Sequence, residues 1–271
     1  MSAVNYFLSR VLWKLERITV RSLSVDQLRN RIEKASKRPH IPPVLMYHRI
    51  DPEVHTELSV TPENFARQVN ILKELGYTFL FEDEWGVITG KNILLTFDDG
   101  YICNYKYAYP VMREEGIKAT INVIANRLID TADDKCFSVD ELKEMYQSGL
   151  ISFEAHTVTH KKLTECREDE LEYELAAVKD MIENETGIIM STIVYPQNAV
   201  NETVYKAACN FYKRGFSCIE LKENKVPLTY RIPRVPIFNE MTERDFLAEI
   251  YLYMLYCRYD RCINKYLKRF R

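Results

Sequence analysis

The amino-acid sequence predicts an α/β fold with a mainly parallel sheet, either open or closed into a barrel. Three observations predict it. Short strand-like runs alternate with segments of helical spacing along most of the chain, the pattern of repeated strand–helix–strand units. Four of only eight glycines, Gly76, Gly116, Gly149 and Gly187, fall where those helices should stop, as a left-handed terminal residue requires. With 271 residues and 46% hydrophobic content, the chain can bury a full core.

In chain order, the strand candidates are "PVLMYHRI", "YTFLF", "NILLTFD", "KATINVI", "ISFEAH", "STIVYP" and "FSCIEL". Each is a short apolar run rich in β-branched or aromatic residues. After the second half of "PVLMYHRI", Thr61-Pro62 starts a helix whose apolar positions are Phe65, Val69, Leu72 and Leu75, spaced for one face. Ser138 and Glu141 form a capping-box pair that opens another helix. Leu171, Leu175, Val178 and Ile182 mark a third.

The formal charge of −2 hides an asymmetry. Residues 1–38 carry nine Lys/Arg against three Asp/Glu, and residues 258–271 six against one, while the middle holds 22 basic and 35 acidic residues. An acidic body is a poor nucleic-acid surface. Seven scattered cysteines without a C-x-x-C pair argue against a disulfide framework or a thiolate metal site. A G-x-S-x-G elbow, a P-loop and a G-x-G-x-x-G are all missing, which removes serine esterases and common nucleotide binders. The N-terminal stretch is broken by Arg10, Lys14 and Glu16, so neither a spanning helix nor a secretory h-region is expected, and a cytoplasmic location follows as an expectation.

In α/β folds chemistry collects at the C-terminal ends of strands. Asp98 and Asp99 end "NILLTFD", His156 and His160 follow "ISFEA", and His48 follows "PVLMY", so three of five histidines stand at such ends. Singly, each has a bland reading: a core or surface histidine, or a turn or helix-capping aspartate. Together they suit metal-assisted hydrolysis, in which two imidazoles and one carboxylate hold a zinc-type ion with a position left open. One aspartate of the pair then completes the coordination, and the other acts as base toward water.

These residues resemble the NodB-homology polysaccharide deacetylases over roughly residues 42–240. "TFDDGY" resembles the family's first motif, which implies that Asp98 is the general base and Asp99 a metal ligand. "HTVTH" matches the second, which implies His156 and His160 as the other ligands. "PVLMYHRI", "ENFARQVNILKELGY" and "VYPQNAVNE" look like the poly-N-acetylglucosamine deacetylase branch, in which the catalytic histidine is permuted to the front. His48 then takes the general-acid role. The resemblance implies a distorted (β/α) barrel, one divalent ion, zinc first with cobalt, nickel or iron as alternates, and removal of an N- or O-acetyl group from a sugar or glycan. Metal-dependent carbohydrate deacetylation is the expected activity; the alternative is a catalytically silent carbohydrate-binding or scaffolding relative.

The sequence departs from the family at several places. In the third motif Val194 replaces an arginine and Gln197 an aromatic residue around Pro196; the backbone N–H of Gln197 remains as an oxyanion donor, and Arg234 is the candidate replacement cation, with a surface or core-capping arginine as its alternative. Glu154 stands where glycine is common and is expected to crowd the strand below the metal. Tyr47 and Tyr101 are candidate sugar-facing groups. Residues 39–240 are assigned to the deacetylase domain, 1–38 to a basic amphipathic helical segment and 241–271 to a basic C-terminal helix. Tyr6, Phe7, Val11, Leu12, Leu15 and Ile18 lie at near-helical spacing beside Arg10, Lys14, Arg17 and Arg21. The expectation is peripheral contact with an anionic membrane and a substrate that is lipid-linked before export; packing on the barrel or an oligomer contact is the alternative.

Overall fold

In the computed structural model, residues 14–267 are described except 39, 54–55, 87, 130–134 and 220–225, with backbone alone for 258–267. Seven parallel strands close into a barrel. They are β1 (Val44–Tyr47), β5 (Asn92–Asp98), β6 (Ala119–Val123), β7 (Ile151–Ala155), β8 (Thr192–Val194), β9 (Arg214–Cys218) and β10 (Ile232–Pro236), with β1 joined to both β10 and β5. β2 (Arg49–Ile50) and β3 (Ser59–Val60) form a separate ribbon. β4 (Thr78–Leu80) pairs with the lower half of β5, on the edge that β6 takes over higher up from Thr96 onward.

All seven sequence-predicted strands are present. The missed barrel strand is β10, because Pro233 and Pro236 lie inside "IPRVP" and proline reads as a strand breaker; the short β3 was also not foreseen. Its parallel neighbours tolerate it: β10 pairs over Ile232–Arg234 with β9 and over Val235–Pro236 with β1.

Helices cover the outside: α1 (residues 14–21), α2 (Val25–Ser36), α3 (Pro62–Glu74), α4 (Tyr109–Glu115), α5 (Ala125–Ile129), α6 (Val139–Gln147), α7 (Glu168–Thr186), α8 (Glu202–Ala208) and α9 (Glu243–Leu267). Their ends follow the sequence signals. Thr61 caps α3 by accepting from the Asn64 N–H, with Pro62 in the first turn, and Ser138 and Glu141 cap α6 reciprocally. Gly116 and Gly187 close α4 and α7 in the left-handed conformation.

Side-chain alternation separates two environments. Outward-facing Tyr47 and Phe97 pack with Phe65 of α3, ring centroids 5.3–5.7 Å apart. The lumen is polar: Thr96 and Asp98 of β5, Thr120 and Asn122 of β6, Glu154 of β7 and Thr192 of β8 are all buried. Strand register puts Asp98 beside Asn122 and Asn122 beside Glu154.

The described terminal helices pack on the barrel and on each other. α2 buries Leu28 and Ile32 along α9, and α9 contributes buried Phe246, Leu247, Ile250 and Tyr253. Arg29 pairs with Glu243 and Arg21 with Glu249, both at 2.6 Å. On α1, Leu15 and Ile18 are exposed. Tyr6, Phe7, Val11 and Leu12 lie outside the described residues, as do the side chains of the basic C-terminal end. Among the described residues no helix is long and apolar enough to cross a membrane, and no disulfide joins the described cysteines.

Candidate active site

The C-terminal ends of β1, β5 and β7 open into one cleft of about 440 Å³. Asp98 is the last residue of β5; Asp99 and Gly100 follow with φ of 74° and 72°. Two successive left-handed residues reverse the chain there. Gly100 adopts that conformation without strain, whereas Asp99 is held in it at a cost of about 1–2 kcal/mol. The reversal places both carboxylates at the cleft floor, pointing to different partners.

Asp99 faces the histidines. Its Oδ1 lies 3.8 Å from His156 Nε2 and 3.5 Å from His160 Nε2, and one ligand atom from each residue falls within 4.8 Å of the others. This buried Oδ1 accepts no hydrogen bond from the described residues; Arg127 Nη1 is 3.5 Å away. His156 Nδ1 is 2.8 Å from the Val194 carbonyl. A carbonyl can only accept, so Nδ1 carries the proton and Nε2 presents its lone pair to the cleft, the orientation that metal-bound imidazoles take. Burial lowers the basicity of both imidazoles. An unsatisfied carboxylate oxygen facing the lone pair of His156 Nε2 and the ring of His160 fits a divalent cation.

The loop after β7 holds this arrangement. Thr157 and His160 have φ of 68° and 65°, and buried Glu174 of α7 accepts from the N–H groups of Val158 and Thr159 at 3.0 and 2.9 Å and from the Thr159 hydroxyl. Glu174 had a sequence signal: it lies on the apolar face marked by Leu171, Leu175 and Val178, where a carboxylate needs partners.

Asp98 faces Arg234. Arg234 Nη1 donates to Oδ1 at 2.7 Å and Nη2 to Oδ2 at 2.8 Å, a fork that fixes the carboxylate plane. Burial alone raises the Asp98 carboxyl, but the Arg234 guanidinium outweighs it and holds the group well below the usual carboxylate range. Arg234 is fully inside the barrel, so the surface alternative fails, and β10 supplies the charge absent at Val194. His48 stands across the cleft with Nε2 3.9 Å from Asp98 Oδ2. Its segment is bolted by buried Asn104, which donates to the His48 carbonyl at 2.8 Å and accepts from the Ile50 N–H at 3.1 Å. Burial lowers the His48 pKa while the Asp98 charge opposes that shift.

Tyr101 and Gln197 line the cleft. Tyr101 lies under the Arg49 guanidinium, 4.8 Å from ring centroid to Cζ. Gln197 and Asn198 form a left-handed turn with φ of 52° and 60°, tied to β9 by the Cys218 N–H donating to Asn198 Oδ1 at 2.6 Å. Two expectations are corrected. Tyr47 does not face a sugar: its register opposite Phe97 turns it outward, and its hydroxyl donates to Gln68 at 2.9 Å beneath α3. Glu154 does not crowd the metal set, because its carboxylate accepts from the Ser191 and Thr192 N–H groups at 2.7 Å.

A family model described as polysaccharide deacetylase matches residues 87–213. YxkH of Bacillus subtilis (strain 168), named as a candidate polysaccharide deacetylase, is 33% identical over 223 residues, spanning 79% of this chain and 78% of its own. The poly-β-1,6-N-acetyl-D-glucosamine N-deacetylase of Staphylococcus aureus (strain MRSA252) is 27% identical over 208 residues, 68% of this chain and 70% of its own. Among solved structures, the Streptococcus pyogenes deacetylase PplD in complex with acetate matches with a TM-score of 0.71 and 28% identity, over 79% of this chain and 99% of its own.

Proposed function

The chain belongs to the polysaccharide deacetylase family, and from that premise we propose that it hydrolyses the N-acetyl group of an amino sugar in a glycan or glycan precursor. One observation carries the proposal: Asp99, His156 and His160 converge on one point beside an Arg234-held Asp98 and His48, all in a single cleft. The name of the staphylococcal relative, an N-deacetylase, supports nitrogen over oxygen.

Asp99, His156 and His160 would hold a divalent ion, zinc first with cobalt, nickel or iron as alternates, which would supply Lewis-acid chemistry toward the acetyl carbonyl and water. Asp98 takes the proton of the attacking water, since Arg234 keeps it ionised and correctly turned. His48, protonated, hands a proton to the departing amine. The backbone N–H of Gln197 serves the developing oxyanion, and Tyr101 forms one sugar-facing wall.

The test is metal content together with acetate release from N-acetylated β-1,6- and β-1,4-glucosamine oligomers, O-acetylated xylan and lipid-linked N-acetyl sugars. Acetate from an N-acetyl substrate in proportion to bound metal is the expected result. Full metal loading with no acetate from any of them would leave the silent carbohydrate-binding relative as the better reading.

Exposed Leu15 and Ile18 beside Lys14, Arg17 and Arg21 on α1 support an extension of the proposal, peripheral contact with an anionic membrane carrying a lipid-linked substrate. Flotation of the full chain with anionic vesicles, lost at high salt, is the expected outcome; equal flotation with neutral vesicles or none at all counts against it.

A further inference from the structure

Below Asp98, the lumen holds polar groups that the reaction above does not use. Asn122 Nδ2 donates to Asp98 Oδ1 at 3.0 Å and to Glu82 Oε1 at 3.3 Å. Glu82 Oε2 lies 2.5 Å from the Thr192 hydroxyl, and the Glu82 N–H donates to Thr120 Oγ1 at 3.2 Å. Glu82, Thr120, Asn122 and Thr192 are all 0% exposed. Thus the turn after β4, together with β6 and β8, delivers a second anchor to the carboxylate that β10 holds through Arg234.

A glutamate sealed inside a barrel is costly unless its partners are well placed. Burial pushes the Glu82 carboxyl up to about 8, so at neutral pH it is largely a neutral group that can both donate and accept. The Arg234 fork alone does not locate Asp98. Among the described residues Arg234 Nε has no hydrogen-bond partner, and apart from Asp98 its guanidinium reaches only Thr96 Oγ1, at 3.4 Å. Besides Arg234, Asn122 is the described side-chain donor that ties the Asp98 carboxylate to the barrel wall. Asn122 Oδ1 in turn accepts nothing from the described residues. Its amide is aimed entirely by the two acceptors its nitrogen faces, Asp98 and Glu82.

We propose that Glu82 is a positioning residue that acts through Asn122 to fix the Asp98 carboxylate at the cleft floor. This rests on the assignment of Asp98 as the base. A misplacement of about 1 Å at a reacting group costs on the order of 100-fold, so loosening this anchor shows in turnover before it shows in substrate binding.

The test uses the full chain, loaded with zinc, and acetate release from an N-acetylglucosamine oligomer. Glu82→Ala and Asn122→Ala should each lower kcat by roughly 10- to 100-fold with KM and zinc content unchanged, and the double variant should lose no more than either single one. Glu82→Gln should restore near-wild-type kcat, because its amide oxygen still accepts from Asn122 and its NH₂ can donate to the Thr192 oxygen. Nitrogen-15 NMR of the metal-free protein gives a readout independent of activity. Slowly exchanging Arg234 guanidinium protons, identified by their loss in Arg234→Lys, should broaden in Glu82→Ala and persist in Glu82→Gln. Wild-type kcat in Glu82→Ala, additive losses in the double variant, or unchanged Arg234 signals would overturn the proposal. If Glu82→Ala does not fold, Asn122→Ala and Glu82→Leu carry the same comparison. A wild-type protein that releases no acetate refutes the deacetylase reading, and the NMR comparison then decides the positioning role by itself.

Discussion

Replacing Glu174 by alanine tests how the metal loop is held. The carboxylate accepts two backbone N–H groups and one hydroxyl from Val158 and Thr159. Thr159 is exposed and Val158 is not, so water can satisfy the first N–H but not the second. One buried N–H left without a partner costs about 1–3 kcal/mol, and a charge-assisted bond exchanged for water somewhat less; the sum is roughly 2–4 kcal/mol. Against it stands the strain of Thr157 and His160 at positive φ, about 1–2 kcal/mol each. The two quantities are equal in size, so without Glu174 the loop has no net reason to keep His160 facing Asp99. Zinc affinity, measured by competition with a fluorescent chelator, should fall by about 10- to 100-fold, as for loss of an outer-sphere partner. The melting temperature should fall by about 4–16 °C, at 2–4 °C per kcal/mol for a chain of this size. Glu172→Ala, at an exposed position on the same helix, should change neither. Wild-type zinc affinity in Glu174→Ala would refute the reasoning.

Further outcomes follow from the same geometry. His156→Ala and His160→Ala should lose metal and activity together, whereas Asp98→Asn should keep metal by elemental analysis and lose turnover; the reverse pattern between Asp98→Asn and Asp99→Asn would exchange the two roles. The Glu82 carboxyl is raised in the folded state to about 8 from its ordinary 4.5. The folded chain therefore holds a proton that the unfolded chain has released, and this contribution, full below pH 4.5, is lost as pH rises toward 8. Denaturant titrations should show stability falling by at most ~1.4 kcal/mol per pH unit across that window from this group, and Glu82→Gln should remove that slope. Gly215→Ala should lower the melting temperature, since a Cβ there would stand 2.2 Å from the Tyr195 hydroxyl and 2.6 Å from its ring; overpacking of this kind costs about 1–3 kcal/mol.

The alternation of strands and helices, the helix caps and the five ionisable groups at strand ends were all legible in the sequence, because each depends on local spacing. Closure was not: nothing local tells an open sheet from a ring in which β1 meets β10. Arg234 could be named but not placed, since its strand reads as a proline-broken loop and its partner lies 136 residues away. Tyr47 was misread because strand neighbours alternate faces, and one residue separates Met46, which lines the cleft, from a ring packed under α3. Asn122 carried a faint signal, polar with Thr120 at i and i+2 in an otherwise apolar strand. Glu82 carried none, as "EDE" reads as a solvated turn.

The ring closes through β1, whose partners are β5, some 50 residues on, and β10, some 190 residues on. Joining such distant segments carries the largest loop-closure cost in the fold, so that seam forms late. Asp99 follows β5 and His156 and His160 follow β7, with β6 between them, while Arg234 belongs to the strand that completes the seam. On the proposed reading, then, the ligand set would gather during synthesis before the arginine that holds Asp98 is made, and hydrolytic competence would arrive only with the final strand. Pulse-labelled hydrogen exchange during refolding of the full chain should therefore show protection on β5–β7 before protection on β10.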